Sequence, residues 1–132
     1  MSVARKLWDD RVMCEALVQL MRDAGEAIMH VHESDDVGVE TKGDYSPVTK
    51  ADLAAHQILV DGLAFLTPDL PVMSEEDPES LGIPRQHPVY WLIDPLDGTK
   101  EFIKRNGEFT SNLALIEDHR TRLGFVGIPA DG

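Results

Sequence analysis

Apolar residues recur every three or four positions along two stretches of the chain, which predicts two amphipathic helices. The first covers residues 12–31 and should begin near Asp9 or Asp10, because acids suit the positive end of a helix. The second should begin at Thr49, an N-cap residue type, with Asp52 three residues later in a box-like cap. TPDLP, residues 67–71, should end it. The buried stripes are predicted at Met13, Leu17, Leu20, Met21, Ala24, Ala27, Ile28 and Val31, and at Ala55, Ile58, Leu59, Leu63 and Leu66.

Short apolar runs follow the helices and predict strands at residues 70–73, 89–93, 112–116 and 122–128. The last two flank EDHRT, which is expected to be a hairpin loop. Residues 33–47 are polar and predict a short hairpin or an irregular loop, and the proline-rich residues 78–88 predict a surface connector. Since helices come first and strands later, the predicted fold class is α/β (α+β), with two N-terminal helices packed on a largely antiparallel sheet.

Composition narrows the class of protein. The chain has 132 residues, 42% of them hydrophobic, which fits one globular domain over residues 1–132. It contains neither an apolar stretch of membrane-spanning length nor a secretory signal. A single cysteine, Cys14, fits a reducing compartment and therefore a cytoplasmic location. A net charge of −12 argues against a nucleic-acid polymer or an anionic membrane as the main partner. Small anionic substrates remain possible if cations lie between the two sets of negative charges.

Two of the predicted strands run directly into acids. Residues 70–73 lead into SEED, which contains Glu75, and residues 89–93 lead into DPLDGT, which contains Asp94 and Asp97. If the strands are neighbours, these carboxylates meet at one edge of the sheet, where a proton or a cation must relieve their repulsion. Hard oxygen ligands favour Mg²⁺, Ca²⁺ or Mn²⁺ over zinc.

The residues between and after the two aspartates refine this hypothesis. Pro95 is expected to fix a turn between Asp94 and Asp97. The amides of Gly98 and Thr99 would form an anion site if they open a helix. Metal ligands, an anion cradle and a hydroxyl together suit phosphoryl transfer or hydrolysis. The alternative is an ordinary turn, because Pro-x-Asp-Gly is a common turn sequence.

Three blocks in order, SPVTKAD, SEED and IDPLDGTKEF, resemble the inositol monophosphatase superfamily of metal-dependent, lithium-sensitive phosphatases. The longer string DPLDGTKEFIKRNGEF resembles one branch, the CysQ-type 3′(2′),5′-bisphosphate nucleotidases. The resemblance covers about residues 15–129. It implies Mg²⁺-dependent removal of the 3′-phosphate from 3′-phosphoadenosine 5′-phosphate to give AMP, a step in nucleotide recycling and sulfur assimilation. Two or three Mg²⁺ ions, and peripheral inner-membrane association in bacterial relatives, are further implications.

The resemblance also implies roles for individual residues. Metal ligands would be the carboxylates of Glu75, Asp94 and Asp97 and the backbone carbonyl of Leu96. Asp52 and Thr99 would orient the attacking water, with Glu75 as a further catalytic group. Substrate-binding residues would be Gly98 and Thr99, and Glu76 would support the metal ligands from behind. Separately from the resemblance, Lys100, Lys104 and Arg105 form a basic segment directly after the site. It is expected either to bind the second phosphate of the substrate, with Lys100 as a substrate-binding residue, or to be a solvated basic face.

Relatives in this family are expected to be roughly twice as long, with a further metal-binding Asp in a Trp-Asp block that has no counterpart after Asp97 here. The chain is therefore expected to be the N-terminal metal- and phosphate-binding portion of a sugar-phosphatase-like domain, truncated relative to the family, with a sheet edge that could support a homo-oligomer. Alternative functions are an inositol monophosphatase, a catalytically silent metal-binding fragment, and an acidic interaction protein without metal.

Overall fold

The computed structural model describes residues 2–33, 40–41, 47–48, 50–74, 76–97 and 109–129. Its α-helices are α1 (Val3–Asp9), α2 (Arg11–His32), α3 (Lys50–Leu66) and α4 (Ile83–Gln86), with a 3₁₀ helix at Pro78–Gly82. Its strands are β1 (Glu40–Thr41), β2 (Pro47–Val48), β3 (Val72–Ser74), β4 (Val89–Asp97), β5 (Thr110–Glu117) and β6 (Arg120–Gly127). The predicted α/β class is confirmed.

The two predicted amphipathic helices are α2 and α3. Asp10 caps α2, since its side chain accepts a hydrogen bond from the Met13 amide at 3.0 Å. The predicted cap of α3, Thr49, lies outside the described residues. The buried residues of both helices pack on one face of the sheet and form a single core. That core includes Leu17, Leu20, Met21, Ala24 and Ile28 of α2, and Ala51, Ala55, Leu59 and Leu63 of α3.

The short helix α1 was not predicted. Ser2 caps it, and the amide of Val3 donates a hydrogen bond of 2.9 Å to the carboxylate of Glu117 at the end of β5. A seven-residue helix is too short to be stable alone. Its docking on the sheet therefore stabilises it, and this tertiary contact leaves no periodicity in the sequence.

The main sheet has the order β3-β4-β5-β6. β4 pairs antiparallel with β5, and β5 with β6, whereas β3 pairs parallel with β4. The sheet is thus mostly antiparallel, as predicted, and the parallel pair is the exception, made possible by the crossover through the 3₁₀ helix and α4. β1 and β2 form the short hairpin expected within residues 33–47.

Two local predictions need correction. The β5–β6 connection is shorter than EDHRT, because both strands extend into it and leave a two-residue turn at Asp118 and His119 with φ of 52° and 66°. Such positive φ values at both positions match the twist of antiparallel strands. Residues 78–88 form helical turns as well as a connector. In the described part of the chain, none of the helices combines the length and apolarity needed to cross a bilayer.

Candidate metal and phosphate site

The end of β4 carries Asp94 and Asp97, and the strand continues through both. Asp94 pairs with Asn112 and Asp97 with Thr110, so three steps along β4 match two steps along β5. This mismatch is a β-bulge with one extra residue on β4. The predicted turn at Pro95 is therefore wrong. Pro95 lies in the bulge, a position in a central strand where a missing N–H is tolerated.

The bulge brings the two carboxylates onto one face of the sheet. In a regular strand, residues three apart point to opposite faces, because side chains alternate with period two. Asp94 and Asp97 instead share the face of their partners Asn112 and Thr110, whose side chains lie on the same side and are joined by a hydrogen bond of 3.0 Å. Asp94 is half-buried and Asp97 is exposed. Two acids that regular geometry would separate are thus collected at one edge.

Leu96 faces the other way. Its side chain belongs to the core that also contains Trp91 and Ile93. The extra residue in the bulge puts Leu96 on the helix-covered face, while the aspartates on either side of it remain on the opposite face. Its side chain is thereby used for packing, which is compatible with the predicted metal-binding role of its backbone carbonyl.

The parallel pairing of β3 with β4 brings the acidic SEED segment to the same edge. Ser74, the last residue of β3, pairs with Ile93, so the chain leaves β3 level with Asp94. The carboxyl ends of parallel neighbours meet at one edge, and open sheets containing such strands commonly bind ligands there. The backbone then turns, since the Asp77 amide donates to the Ser74 carbonyl at 3.1 Å. This acidic turn (residues 74–77) contains Glu75 and the half-buried Glu76.

Helix α3 adds Asp52 from the helix side. Because α3 and β3 run in opposite directions, the first turn of α3 lies near the carboxyl end of β3, and the imidazole Nδ1 of His56 contacts the Ser74 hydroxyl at 2.9 Å. Asp52 lies one helical turn before His56 and is 1% exposed. A carboxylate in the first turn of a helix is stabilised by the helix dipole. Buried acids placed next to a candidate cation site are typical of catalytic centres.

Five of the predicted site residues are described, and the elements that carry them end at this edge: Asp52, Glu76, Asp94, Leu96 and Asp97. The other four, Glu75, Gly98, Thr99 and Lys100, lie outside the described residues, as does the basic segment around Lys104 and Arg105. Within the described part alone, no three acidic, histidine or cysteine side chains lie close enough to hold a metal ion. Glu75 is the third carboxylate predicted to bind metal together with Asp94 and Asp97, and it lies outside the described residues.

The donor atoms at this edge fit a hard divalent cation. Asp94, Asp97 and the Leu96 carbonyl offer only oxygen donors. Oxygen donors of this kind suit Mg²⁺. The chemistry of these donors is therefore compatible with the predicted cation.

Sequence reasoning missed three residues that shape this edge: His56, Ser74 and Ser80. The Ser80 hydroxyl accepts from the Ser74 amide at 2.9 Å and lies 3.0 Å and 2.7 Å from the carbonyls of Ser74 and Asp77. The available signals were weak. His56 follows Asp52 by four residues, and Ser74 directly precedes the acidic pair.

A cavity of about 530 Å³ lies elsewhere, between α2 and β6, on the helix-covered face of the sheet. None of the predicted site residues that the structure describes lines it. The buried hydroxyl of Ser111 borders it without a hydrogen-bond partner in the described structure. The cavity is therefore separate from the acidic edge.

Known proteins match this chain in sequence. A model of the inositol monophosphatase family matches residues 9–132. The 3′(2′),5′-bisphosphate nucleotidase CysQ of Escherichia coli K12 is 54% identical over 118 residues, which are 89% of this chain and 48% of that protein. The chain thus spans about half the length of the curated relatives it matches.

Solved structures agree. The crystal structure of CysQ from Bacteroides thetaiotaomicron, a bacterial member of the inositol monophosphatase family, matches with a TM-score of 0.74 and 37% identity, covering 92% of this chain and 44% of that chain. An IMPase/NADP phosphatase crystallised with Mg²⁺ and phosphate matches with a TM-score of 0.69 and 25% identity, covering 97% of this chain and 46% of that chain.

Proposed function

The chain belongs to the inositol monophosphatase family, and on that premise we propose that it forms the metal- and phosphate-binding half of a Mg²⁺-dependent phosphomonoesterase. The proposed substrate is 3′-phosphoadenosine 5′-phosphate, whose 3′-phosphate is hydrolysed to leave AMP. One observation carries the proposal: the β4 bulge places Asp94 and Asp97 on one face, beside the acidic turn. The 54% identity to the E. coli nucleotidase favours this substrate over an inositol phosphate.

Each residue has a proposed role. Glu75, Asp94, Asp97 and the Leu96 carbonyl would hold two or three Mg²⁺ ions. Bound Mg²⁺ would offset the phosphate charge and make a nearby water more acidic.

The chain's own groups would carry out the remaining tasks. Asp52, held buried at the start of α3, would accept a hydrogen bond from the attacking water and orient it toward phosphorus together with the Thr99 hydroxyl. The amides of Gly98 and Thr99 would hold the phosphate oxygens. As the new bond from water oxygen to phosphorus forms, the bond to the ribose 3′-oxygen breaks and that oxygen takes up a proton. Lys100 would contact the second phosphate, and Glu76 would support the acidic turn.

A second candidate follows from length. Because the chain spans 48% of the E. coli relative, the residues present could bind metal without turnover. Metal binding and catalysis are therefore separate parts of the proposal. The acidic edge supports metal binding, whereas the relatives that carry out catalysis have a longer chain.

The proposal extends to setting and assembly. A single cysteine suits the reducing cytoplasm, and the acidic chain suits a small substrate rather than a nucleic-acid polymer. Peripheral membrane association, as expected from bacterial relatives, belongs to the same proposal. Homo-oligomers are proposed through β6, which forms the last strand of the described sheet and presents Val126 to solvent.

The decisive experiment measures phosphate release from 3′-phosphoadenosine 5′-phosphate with Mg²⁺, alongside Mg²⁺ binding by calorimetry. Asp97→Asn should abolish both, whereas Asp69→Asn, an exposed acid after α3, should change neither. Inositol 1-phosphate should be a poor substrate, and Li⁺ should inhibit. Metal binding without release would support the silent metal-binding half. Absence of Mg²⁺ binding at millimolar concentration would overturn the proposal.

A further inference from the structure

A contact between two elements of the candidate site has no role in the scheme above. His56 on α3 and Ser74 at the end of β3 are 18 positions apart, and their side chains meet at 2.9 Å. Ser74 is 1% exposed and His56 is half-buried. Replacing a partly desolvated polar contact leaves the remaining group without its partner, so a contact of this kind constrains both elements.

The Ser74 hydroxyl also holds the turn that follows it. It accepts a hydrogen bond from the Glu76 amide at 3.2 Å. The Ser80 hydroxyl fixes the other side of the same residue, by accepting from the Ser74 amide and lying within hydrogen-bond distance of the Ser74 carbonyl. Ser74 is therefore held through its amide, its carbonyl and its hydroxyl. Only the hydroxyl connects it to α3.

His56 also has a defined relation to Asp52. The two residues are four positions apart in one helix, so they lie on the same face about one turn apart. The imidazole contact therefore links the first part of α3, which carries the proposed water-orienting acid, to the acidic turn.

We infer that His56 is a positioning residue, which holds the acidic turn against α3 and thereby supports the binding of divalent cations at this edge. The inference rests on the proposed metal-binding function. It assigns no proton transfer to the imidazole, because either ring tautomer can form the contact with a hydroxyl that both donates and accepts.

The test measures cation affinity directly. Mn²⁺, a hard cation that takes the same oxygen ligands, is titrated into the intact chain and followed by electron paramagnetic resonance, with Mg²⁺ as competitor. His56→Leu removes the contact, whereas His56→Asn keeps a polar atom close to the place of Nδ1. The matched control is His87→Leu, the same substitution at an exposed histidine after α4. The unfolding temperature is recorded for every variant.

His56→Leu should weaken cation binding about 10-fold, since loss of groups that support metal ligands costs roughly 10–100-fold. His56→Asn should restore most of that loss, and His87→Leu should bind like the parent chain. Ser74→Ala removes the same contact from the other side and serves if His56→Leu does not fold. Combining Ser74→Ala with His56→Asn should then weaken binding no more than Ser74→Ala alone.

The other outcomes are distinct. If the parent chain binds Mn²⁺ and His56→Leu binds it equally well, with only a lower unfolding temperature, His56 has a structural role and the inference is overturned while the proposed function stands. If Ser74→Ala leaves affinity unchanged, the inference fails in the same way. If the parent chain and Asp97→Asn both fail to bind, the proposed function fails and this inference falls with it.

Discussion

The hydrogen bond between Trp91 and Thr67 offers a sharp test of how α3 is held on the sheet. The Trp91 indole N–H donates to the Thr67 hydroxyl at 2.9 Å, and Trp91 is 0% exposed. Thr67 follows the last residue of α3, so this bond anchors the C-terminal end of the helix whose first turn carries Asp52. The perturbation is Thr67→Val, which has nearly the same shape and lacks the acceptor.

The expected loss in the free energy of unfolding follows from the hydrogen bonds that the substitution removes. The Leu63 carbonyl, which also accepts from the Thr67 hydroxyl, keeps its bond from the Thr67 amide at 2.8 Å. Only the buried indole N–H loses its partner, which costs about 2 kcal/mol within a range of roughly 1–3. Replacing the hydroxyl by a methyl group returns about 0.8 kcal/mol. The net loss is about 1.2 kcal/mol.

Thermal unfolding followed by circular dichroism provides the assay. An unfolding entropy of about 2.1 cal/mol/K per residue over 132 residues gives roughly 0.28 kcal/mol/K, so the melting temperature should fall by about 4 °C. In a Trp91→Phe background no donor remains, and Thr67→Val should be neutral or slightly stabilising. The coupling energy between the two sites should be about 2 kcal/mol. Equal losses in both backgrounds would refute the reasoning, because the effect would then not depend on the indole N–H.

Three further predictions concern the helix pair, the hairpin and the sheet edge. Gly62→Ala should lower the free energy of unfolding, measured by urea unfolding, by about 1 kcal/mol. The new Cβ would lie 2.3 Å from a Leu20 methyl, and the cost of this overpacking exceeds the gain in helix propensity. In a Leu20→Ala background the same change should become stabilising. Replacing Asp118 and His119 by Asn-Gly should raise the melting temperature by about 3–4 °C. Both residues have positive φ, and such strain costs about 1 kcal/mol. An unchanged melting temperature would count against strain in this turn. Val126 on β6 is 68% exposed, and Val126→Lys should reduce self-association in sedimentation velocity without lowering the melting temperature. A sedimentation profile that does not change would argue against β6 as the interface.

The features of this protein that depend on local pattern can be predicted from its sequence alone. Helices α2 and α3 follow from apolar spacing over many turns, which predicts most of their core residues. Ala27 is an exception, since it lies half-buried outside the core, and Ala51 is a core residue that the spacing did not predict. The acids at the ends of two apolar runs predict one acidic edge, and the described structure places the ends of β3 and β4 and the first turn of α3 at the same edge of the sheet.

The geometry of that edge depends instead on contacts between elements that are distant in sequence. Periodicity placed Asp94 and Asp97 three apart, which in a regular strand means opposite faces, and the bulge that reverses this exists because β4 pairs with β5 in a shifted register. The contact of His56 with Ser74 joins two residues that are 18 positions apart in the sequence. The docking of α1 on Glu117 joins two residues that are 114 positions apart. Neither has a local signature, because both depend on the packing of elements that are distant in sequence.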